Sequence, residues 1–423
     1  MKKKSILLTN FNIINFSGSE IDTVTVANYF ISIGYNVDIF TLDYGEPLSK
    51  IVNKNIRVVT LNNVSLLKKK YDLVWSHHYP LLDYLIFNQN IKANHIIYIS
   101  LSSFEPLETL PQYYMNLSLI GALSDEAIQA LGKQMPEKRN ILKFPNYATN
   151  NFFKHKIKEI NNVRKICIVS NHIPSELYDF KEIAEANNIK VDLYGTGNII
   201  KYIDDKVLSK YDVIISIGKT VYYSIAMGKH VYCYDKFGGC GFITSKNIDK
   251  AFKYNFSGRG FNKKLTGEKI YNDIIKNYKK INKELYILKE YAQNDFNFEN
   301  NVNYILSLLN KDNKTSCNDI IQKYPNLVIK SRLYVETYTN KNDTIKYQNT
   351  KMNNISRELE AKKSELAEIY TSTSWKITYP IRLSKVLIYK ALNQSKVHNW
   401  VQLNAKSVFL KENALFISQN CNF

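Results

Sequence analysis

Cysteine is scarce in this chain. Its five residues, Cys167, Cys233, Cys240, Cys317 and Cys421, are scattered through 423 positions, odd in number and without a C-x-x-C spacing. That argues against a disulfide framework and a zinc site, and points to a reduced cytosol. Long apolar runs are missing too. No stretch approaches the ~18 uninterrupted apolar residues of a membrane span. The apolar segment behind the basic opening MKKK stops at Leu8, too short for the core of a signal peptide. The phosphate-cradling spacing G-x-x-x-x-G-K-[ST] is absent. Acidic residues are outnumbered, 38 Asp and Glu against 57 Lys and Arg, for a formal charge of +19. That imbalance invites a nucleic-acid reading, but the chain has no helix-turn-helix, zinc finger or aromatic RNA motif, so no nucleic-acid partner is expected. The joint abundance of Lys, Asn, Ile and Tyr is what translation from an AT-rich genome produces.

What is present suits a globular protein with more than one core: 45% of residues are hydrophobic and 13% aromatic. Residues 5–9 and 37–40 read as strands around a helical pattern at Ile21, Val24, Ala27, Phe30 and Ile33, a βαβ opening. Further strands are expected at 56–61, 73–76, 96–101 and 119–123. After a charged stretch, 154–165, the alternation restarts at 166–170, 191–194, 213–217 and 231–234. Such alternation means parallel sheets covered on both faces. The expected fold class is α/β: a Rossmann-like doubly wound domain over 1–150, a second over 163–310 with closing helices, the two facing a cleft, and a helical basic extension over 311–423. Residues 343–370 carry mixed charge and weak core periodicity, as a solvated helix or a short coiled coil does.

The stretch YDVIISIGKTVYYSIAMGKHVYCYDKFGGCGF, 211–242, sets glycine turns after two successive strands. Ligands of doubly wound sheets sit beyond the carboxyl ends of the strands, where glycine lets backbone N–H groups approach an anion. Gly218, Lys219 and Thr220 follow one strand, and Phe237, Gly238 and Gly239 the next. A phosphate-bearing ligand fits there: Thr220 can cap the helix that follows, and Lys219 adds a full positive charge. Tyr222 and Tyr223 can pack or serve as a platform for a base or ribose. The plainer reading is that glycines end strands in any such domain. Gly195 belongs to a lone G-x-G.

NFSGSEIDTVTVANYFISIGYNVDIFT, 15–41, resembles the opening of glycosyltransferases with the GT-B fold, especially family 4, whose first loop reads G-G-x-E before a helix; Ser17 replaces the first glycine here. IVSNHIPSEL (168–177), the 218–242 stretch and KYNFSGRGF (253–261) are similar to a bacterial surface-polysaccharide branch of these enzymes. The resemblance covers roughly 1–310. It implies a nucleoside-diphosphate sugar held mainly by the second lobe, a glycan or lipid-linked acceptor approached from the first, no metal and no cofactor. It also implies retention of configuration, the donor phosphate accepting the proton. Many family 4 enzymes carry a ribose-binding glutamate where this chain has Tyr223. That departure is the motive for a rival reading, a non-catalytic nucleotide-sugar or glycan-binding subunit.

On this resemblance the amides of Gly18 and Ser19 meet the donor, while Glu20 is a first-turn helix acid. Asn171 and His172 follow a strand, where they can reach the diphosphate or merely cap. Lys219 and Arg259 are the cations for the leaving diphosphate. His77 and His78 end a strand, one directed inward and one towards the cleft, and no third ligand stands at metal-binding spacing. Contact with a sugar hydroxyl or plain packing are their open roles. Glu105 and Glu108 follow another strand and can orient an acceptor hydroxyl. STSWKITYPIR, 372–382, resembles a segment attached to many bacterial polysaccharide glycosyltransferases. Residues 372–396 are apolar and basic without an acid, which suits the inner face of an anionic membrane; docking on the lobes or on a partner is the alternative. The expected location is cytoplasmic, peripheral on that membrane.

Overall fold

A computed structural model describes residues 3–375, apart from 103 and 310–312, together with 378. The first lobe is built on a parallel sheet of seven strands: β1 (Ser5–Thr9), β2 (Asn36–Phe40), β3 (Arg57–Val59), β4 (Lys70–Ser76), β5 (Lys92–Ser100), β6 (Leu119–Ala122) and β7 (Leu142–Lys143). Their spatial order is β3-β2-β1-β4-β5-β6-β7, and the switch of direction at β1 is where such sheets open a ligand crevice. Side chains alternate across it. Ile6 and Leu8 join a core with Val37, Ile39 and Trp75, while Leu7 joins Phe40, Val74 and Tyr98 on the other face. Both faces are therefore dry, as the near-continuous apolar strands require.

The second lobe holds β8 (Lys165–Val169), β9 (Lys190–Tyr194), β10 (Val213–Ser216), β11 (His230–Asp235) and β12 (Gly238–Phe242), ordered β9-β8-β10-β11-β12. β12 runs antiparallel to β11; the other pairs are parallel. The expected α/β architecture of two Rossmann-like lobes is thus present. The run Phe237-Gly238-Gly239 was expected as a turn alone, but Gly238 and Gly239 begin a strand, because no bulky side chain fits there. A Cβ on Gly239 would lie 1.8 Å from the carbonyl oxygen of Cys233, and one on Gly238 would lie 2.3 Å from that of Lys263.

Two backbone crossings join the lobes side by side. The amide of Ala148 donates to Phe296 O at 2.8 Å and that of Phe298 to Ala148 O at 3.1 Å. Of the helices, α1 (Gly18–Ser32) and α2 (Asp125–Gly132) belong to the first lobe, and α3 (Ser175–Ala186) and α4 (Lys219–Ala226) to the second. The closing stretch is three helices, α5 (Gly267–Ile281), α6 (Leu285–Asp295) and α7 (Phe298–Ser307). Ile270 and Ile274 of α5 pack on the second lobe, whereas Phe298, Val302 and Ile305 of α7 return to the first. Cys317 and Ile320 of α8 (Cys317–Lys323), with Leu327 and Val335 of α9 (Leu327–Thr371), enter the first lobe's other core. One compact unit spans Met1–Thr339 and a second begins at Asn340. Among the described residues no helix is long and apolar enough to cross a membrane. Of the basic tail 372–396, all but 372–375 and 378 lies outside the described residues.

Candidate active site

Loops beyond the carboxyl ends of both sheets meet across one cleft. Phe16, after β1, has its ring centroid 5.7 Å from that of Tyr202 in the second lobe. The loop before α1 is held by a carboxylate: Glu20 accepts from the amides of Ile14 at 2.6 Å and Asn15 at 2.8 Å and from Ser17 Oγ at 2.9 Å. Glu20 therefore braces this loop. Ser17, at the N-cap, makes no side-chain cap bond, so the first-turn amides beside Gly18 and Ser19 keep the positive end of the helix without a side-chain acceptor from Ser17.

One turn into α1, Asp22 is buried and takes charge from both lobes. Lys219 Nζ, at the start of α4, donates to its Oδ1 at 3.0 Å, and His77 Nε2, just past β4, lies 3.2 Å from its Oδ2. His77 Nδ1 is 2.9 Å from the carbonyl oxygen of Ile99. A carbonyl only accepts, so Nδ1 carries a proton, and Nε2 must carry one too if it is not to set a lone pair against the carboxylate. Burial alone would lower the His77 pKa, but Asp22 beside it outweighs that and raises it. Burial alone would raise Asp22; Lys219 and then His77 outweigh it and hold the carboxyl well below the usual range. The set is two cations around one anion, a net positive charge. Tyr147 completes it, with Lys219 Nζ 4.5 Å from its ring centroid. The buried atoms Asp22 Oδ2, His77 Nε2 and Tyr147 Oη have no well-aligned hydrogen bond. They face one another, His77 and Tyr147 both acting on the Asp22 carboxylate.

His78 is the opposite of its neighbour. Its Nδ1 accepts from the amide of Phe11 at 3.3 Å, and burial followed by the His77 charge pushes its pKa down to about 3, so it is neutral. Both histidines are buried, His77 towards Asp22 where the lobes meet and His78 against Phe11. Glu108 Oε1 stands 4.0 Å from His78 Nε2. Its Oε2 accepts from the amides of Leu101 and Ser102, yet burial pushes its pKa up to about 7. Glu105 is exposed and caps the short turn at Leu107. A cavity of about 220 Å³ opens here, lined by Ser102, Phe104, Glu105, Glu108 and Gln134 among others.

Glu108 yields a stability prediction. Its folded pKa is above its unfolded one, so between about pH 4.5 and pH 7 the folded state binds more protons and stability falls as pH rises. Glu108→Gln lacks this slope. Melting curves should show the variant gaining on the wild type by ~3 kcal/mol from pH 4.5 to pH 8; parallel curves would contradict the burial argument.

In the second lobe the glycines serve packing before anything else. The amide of Gly218 donates to Phe256 O at 3.2 Å and that of Gly239 to Lys263 O at 3.2 Å. Gly218 has φ +58° and is itself the N-cap of α4. Thr220 therefore does not cap: it sits inside the helix, where its carbonyl accepts from Ser224 Oγ at 2.8 Å. A Cβ on Gly195 would fall 1.9 Å from Ser170 O. Asn171 Oδ1 braces the same turn through Thr196 rather than capping α3, whose N-cap is Pro174. The amide of His172 donates to Ser170 Oγ at 3.0 Å, leaving its side chain exposed. Tyr222 is core, packed on Phe256 and Phe296. Tyr223 is buried and stacks on Phe152 at 4.2 Å and 10°. Arg259 crosses the cleft: its guanidinium meets the Glu126 carboxylate, at 2.6 Å from Nη2, between the rings of Phe104 and Phe237 at 5.1 and 5.6 Å. Both cations expected to face a diphosphate are thus held by acids of the opposite lobe.

No family model matches the chain, and no curated protein matches it. Among solved structures it is similar to the glycotransferase of kitacinnamycin, at 11% identity over 73% of this chain and 100% of that one, with TM-score 0.43. It is similar to MurG of Acinetobacter baumannii, at 11% identity over 73% and 99% of the two chains and TM-score 0.43. A third is the lipopolysaccharide outer core galactosyltransferase WaaB in apo form, at 13% identity over 68% and 99% and TM-score 0.38. Likenesses this distant assign no role to any residue.

The sequence reading missed Asp22 and Tyr147. A signal for Asp22 exists: it stands four residues before Val26 and eight before Phe30, on the helix stripe that faces the core. An acid on such a stripe needs a buried cation.

Proposed function

We propose that the protein is a glycosyltransferase that moves a sugar from a nucleoside-diphosphate sugar to a cell-surface glycan or lipid-linked acceptor. The observation that carries this reading is the net-positive cluster of Asp22, His77 and Lys219 where the two Rossmann-like lobes meet. A dissociating diphosphate needs charge placed in advance where its own develops. Lys219 and the free end of α1 supply that charge, and His77 adds a second cation held by Asp22. The sugar C1–O bond to the phosphate breaks while a bond from C1 to the acceptor oxygen forms. In the retaining course the acceptor's proton passes to the phosphate oxygen on the same face. The first-lobe cavity beside Glu108 suits the acceptor, whose hydroxyl Glu108 or His78 can orient. The basic segment 372–396 supports placement beside an anionic membrane; equal sedimentation with anionic liposomes of the full chain and one ending at 371 would remove that part.

Incubation with a panel of nucleotide sugars tests the reading. At least one should protect the protein thermally and release its nucleoside diphosphate. Protection without turnover would mark a binding subunit, the reading that Tyr223 in place of a carboxylate favours. No protection and no release by any of them would end the proposal.

A further inference from the structure

We propose that the exposed face of α9 from Ile345 to Ile369 is the seam of a parallel, in-register, two-stranded coiled coil with a second copy of this chain. Ile345, Met352, Leu359 and Leu366 recur every seven residues, and Ile355 and Ile369 each stand three beyond a member of that row. These six side chains are 42% to 62% exposed. A strict seven-residue apolar repeat drifts around a straight helix and stays on one face only when two helices supercoil left-handed. In heptad notation the first row is a and the second is d; the remaining d positions are Gln348 and Lys362.

Charge and polarity choose the partner and its direction. In a parallel in-register pair each g residue faces the e residue five further along the other strand. Glu358 then meets Lys363 of the second copy, twice by symmetry, in competition with the exposed Glu360 that Lys363 holds at 2.7 Å in its own helix. Each polar d residue also meets its equal, so the Gln348 amides can bond across the seam. Lys362 keeps its own Glu365 at 2.7 Å, and in two strands its stem can lie along the seam with the ammonium in water. A four-stranded core, which leucine at a with isoleucine at d would otherwise favour, would enclose both polar residues. An antiparallel pair sets Lys362 against Met352, Gln348 against Leu366 and Glu358 against Glu358. Its one gain is Lys351 with Glu365.

The full-length protein, sized by light scattering and sedimentation at micromolar concentrations, should be a dimer. Ile355→Asp with Leu359→Asp should give a monomer, weakening association by at least ~100-fold, while the melting of the lobes is unchanged. Glu358→Lys or Lys363→Glu alone should weaken the dimer about tenfold, and the double exchange should restore it. A monomeric wild type, or a dimer that survives the two aspartates, overturns the seam. A dimer that the double exchange fails to restore overturns the parallel register, and a trimer or tetramer overturns the two-stranded state.

Discussion

Lys219→Ala is expected to lower glycosyl transfer by about 10²–10³-fold and to weaken nucleoside-diphosphate binding by at least about tenfold. Lys219 is the cation delivered at the carboxyl end of β10, and its Nζ bonds Asp22 Oδ1 at 3.0 Å while covering the Tyr147 ring. On the proposed function, removing it costs the leaving diphosphate a full positive charge. It also leaves the buried Asp22 with His77 as its remaining cationic partner, so some loss of stability accompanies the loss of rate. Lys219→Arg separates the two effects: the charge persists and stability should largely return, while transfer recovers only in part because a planar guanidinium is not placed like an ammonium. Steady-state rates and calorimetric titration of the three proteins check this. An unchanged rate in Lys219→Ala would remove the residue from the reaction.

Asp22→Asn should separate binding from turnover in the other direction. The amide keeps the shape but removes the charge that two cations share, and breaking such a buried arrangement costs about 3–5 kcal/mol. His77 then loses the neighbour that raises its pKa and goes neutral, so transfer should fall about 100-fold or more. Nucleoside-diphosphate affinity should hold, because the carboxylate that competes for Lys219 and the charge of His77 are lost together and the site keeps one net positive charge. The pH dependence follows from the two shifts. Asp22 is lowered, so its contribution to stability is present above its unfolded value near 4 and fades as pH falls below it. His77 is raised, so its contribution is present below its unfolded value near 6.5 and fades as pH rises through the higher folded value. Asp22→Asn should flatten both limbs of the stability profile. A variant that melts like the wild type from pH 3 to pH 9 would refute the buried triad.

Much of the fold was legible because short apolar runs bounded by turn residues and glycines are local signals. Ser5–Thr9 and Lys165–Val169 carry their burial pattern in five residues each. The candidate site was less so, because it is made by contacts far apart in sequence. Lys219 could be singled out from its glycine turn, but its partner lies 197 positions away in a helix that reads as an ordinary amphipathic segment. Arg259 was legible as a cation and not as the partner of Glu126, since no spacing rule links 259 to 126. Tyr147 lies at the very end of the expected first domain, where no periodicity singles it out, and the return of α7 to the first lobe, which sets Phe298 against Tyr147 at 4.2 Å and a tilt of 35°, makes it part of a wall. Glu20 was visible as a helix acid, while its bonds to Ile14 and Asn15 needed the loop to fold back over it. Thr220 has the right chemistry for a cap at the wrong position, because Gly218, with its positive φ, takes the N-cap and the helix begins at Lys219.

The claim that the cleft around Lys219 and Asp22 is a nucleoside-diphosphate site is tested most directly by calorimetric titration of a panel of nucleoside diphosphates into the wild type, Lys219→Ala and Asp22→Asn. The account predicts saturable one-site binding of at least one of them to the wild type, binding at least about tenfold weaker to Lys219→Ala, and binding undiminished in Asp22→Asn. No binding to the wild type, or equal binding to the wild type and Lys219→Ala, would contradict it.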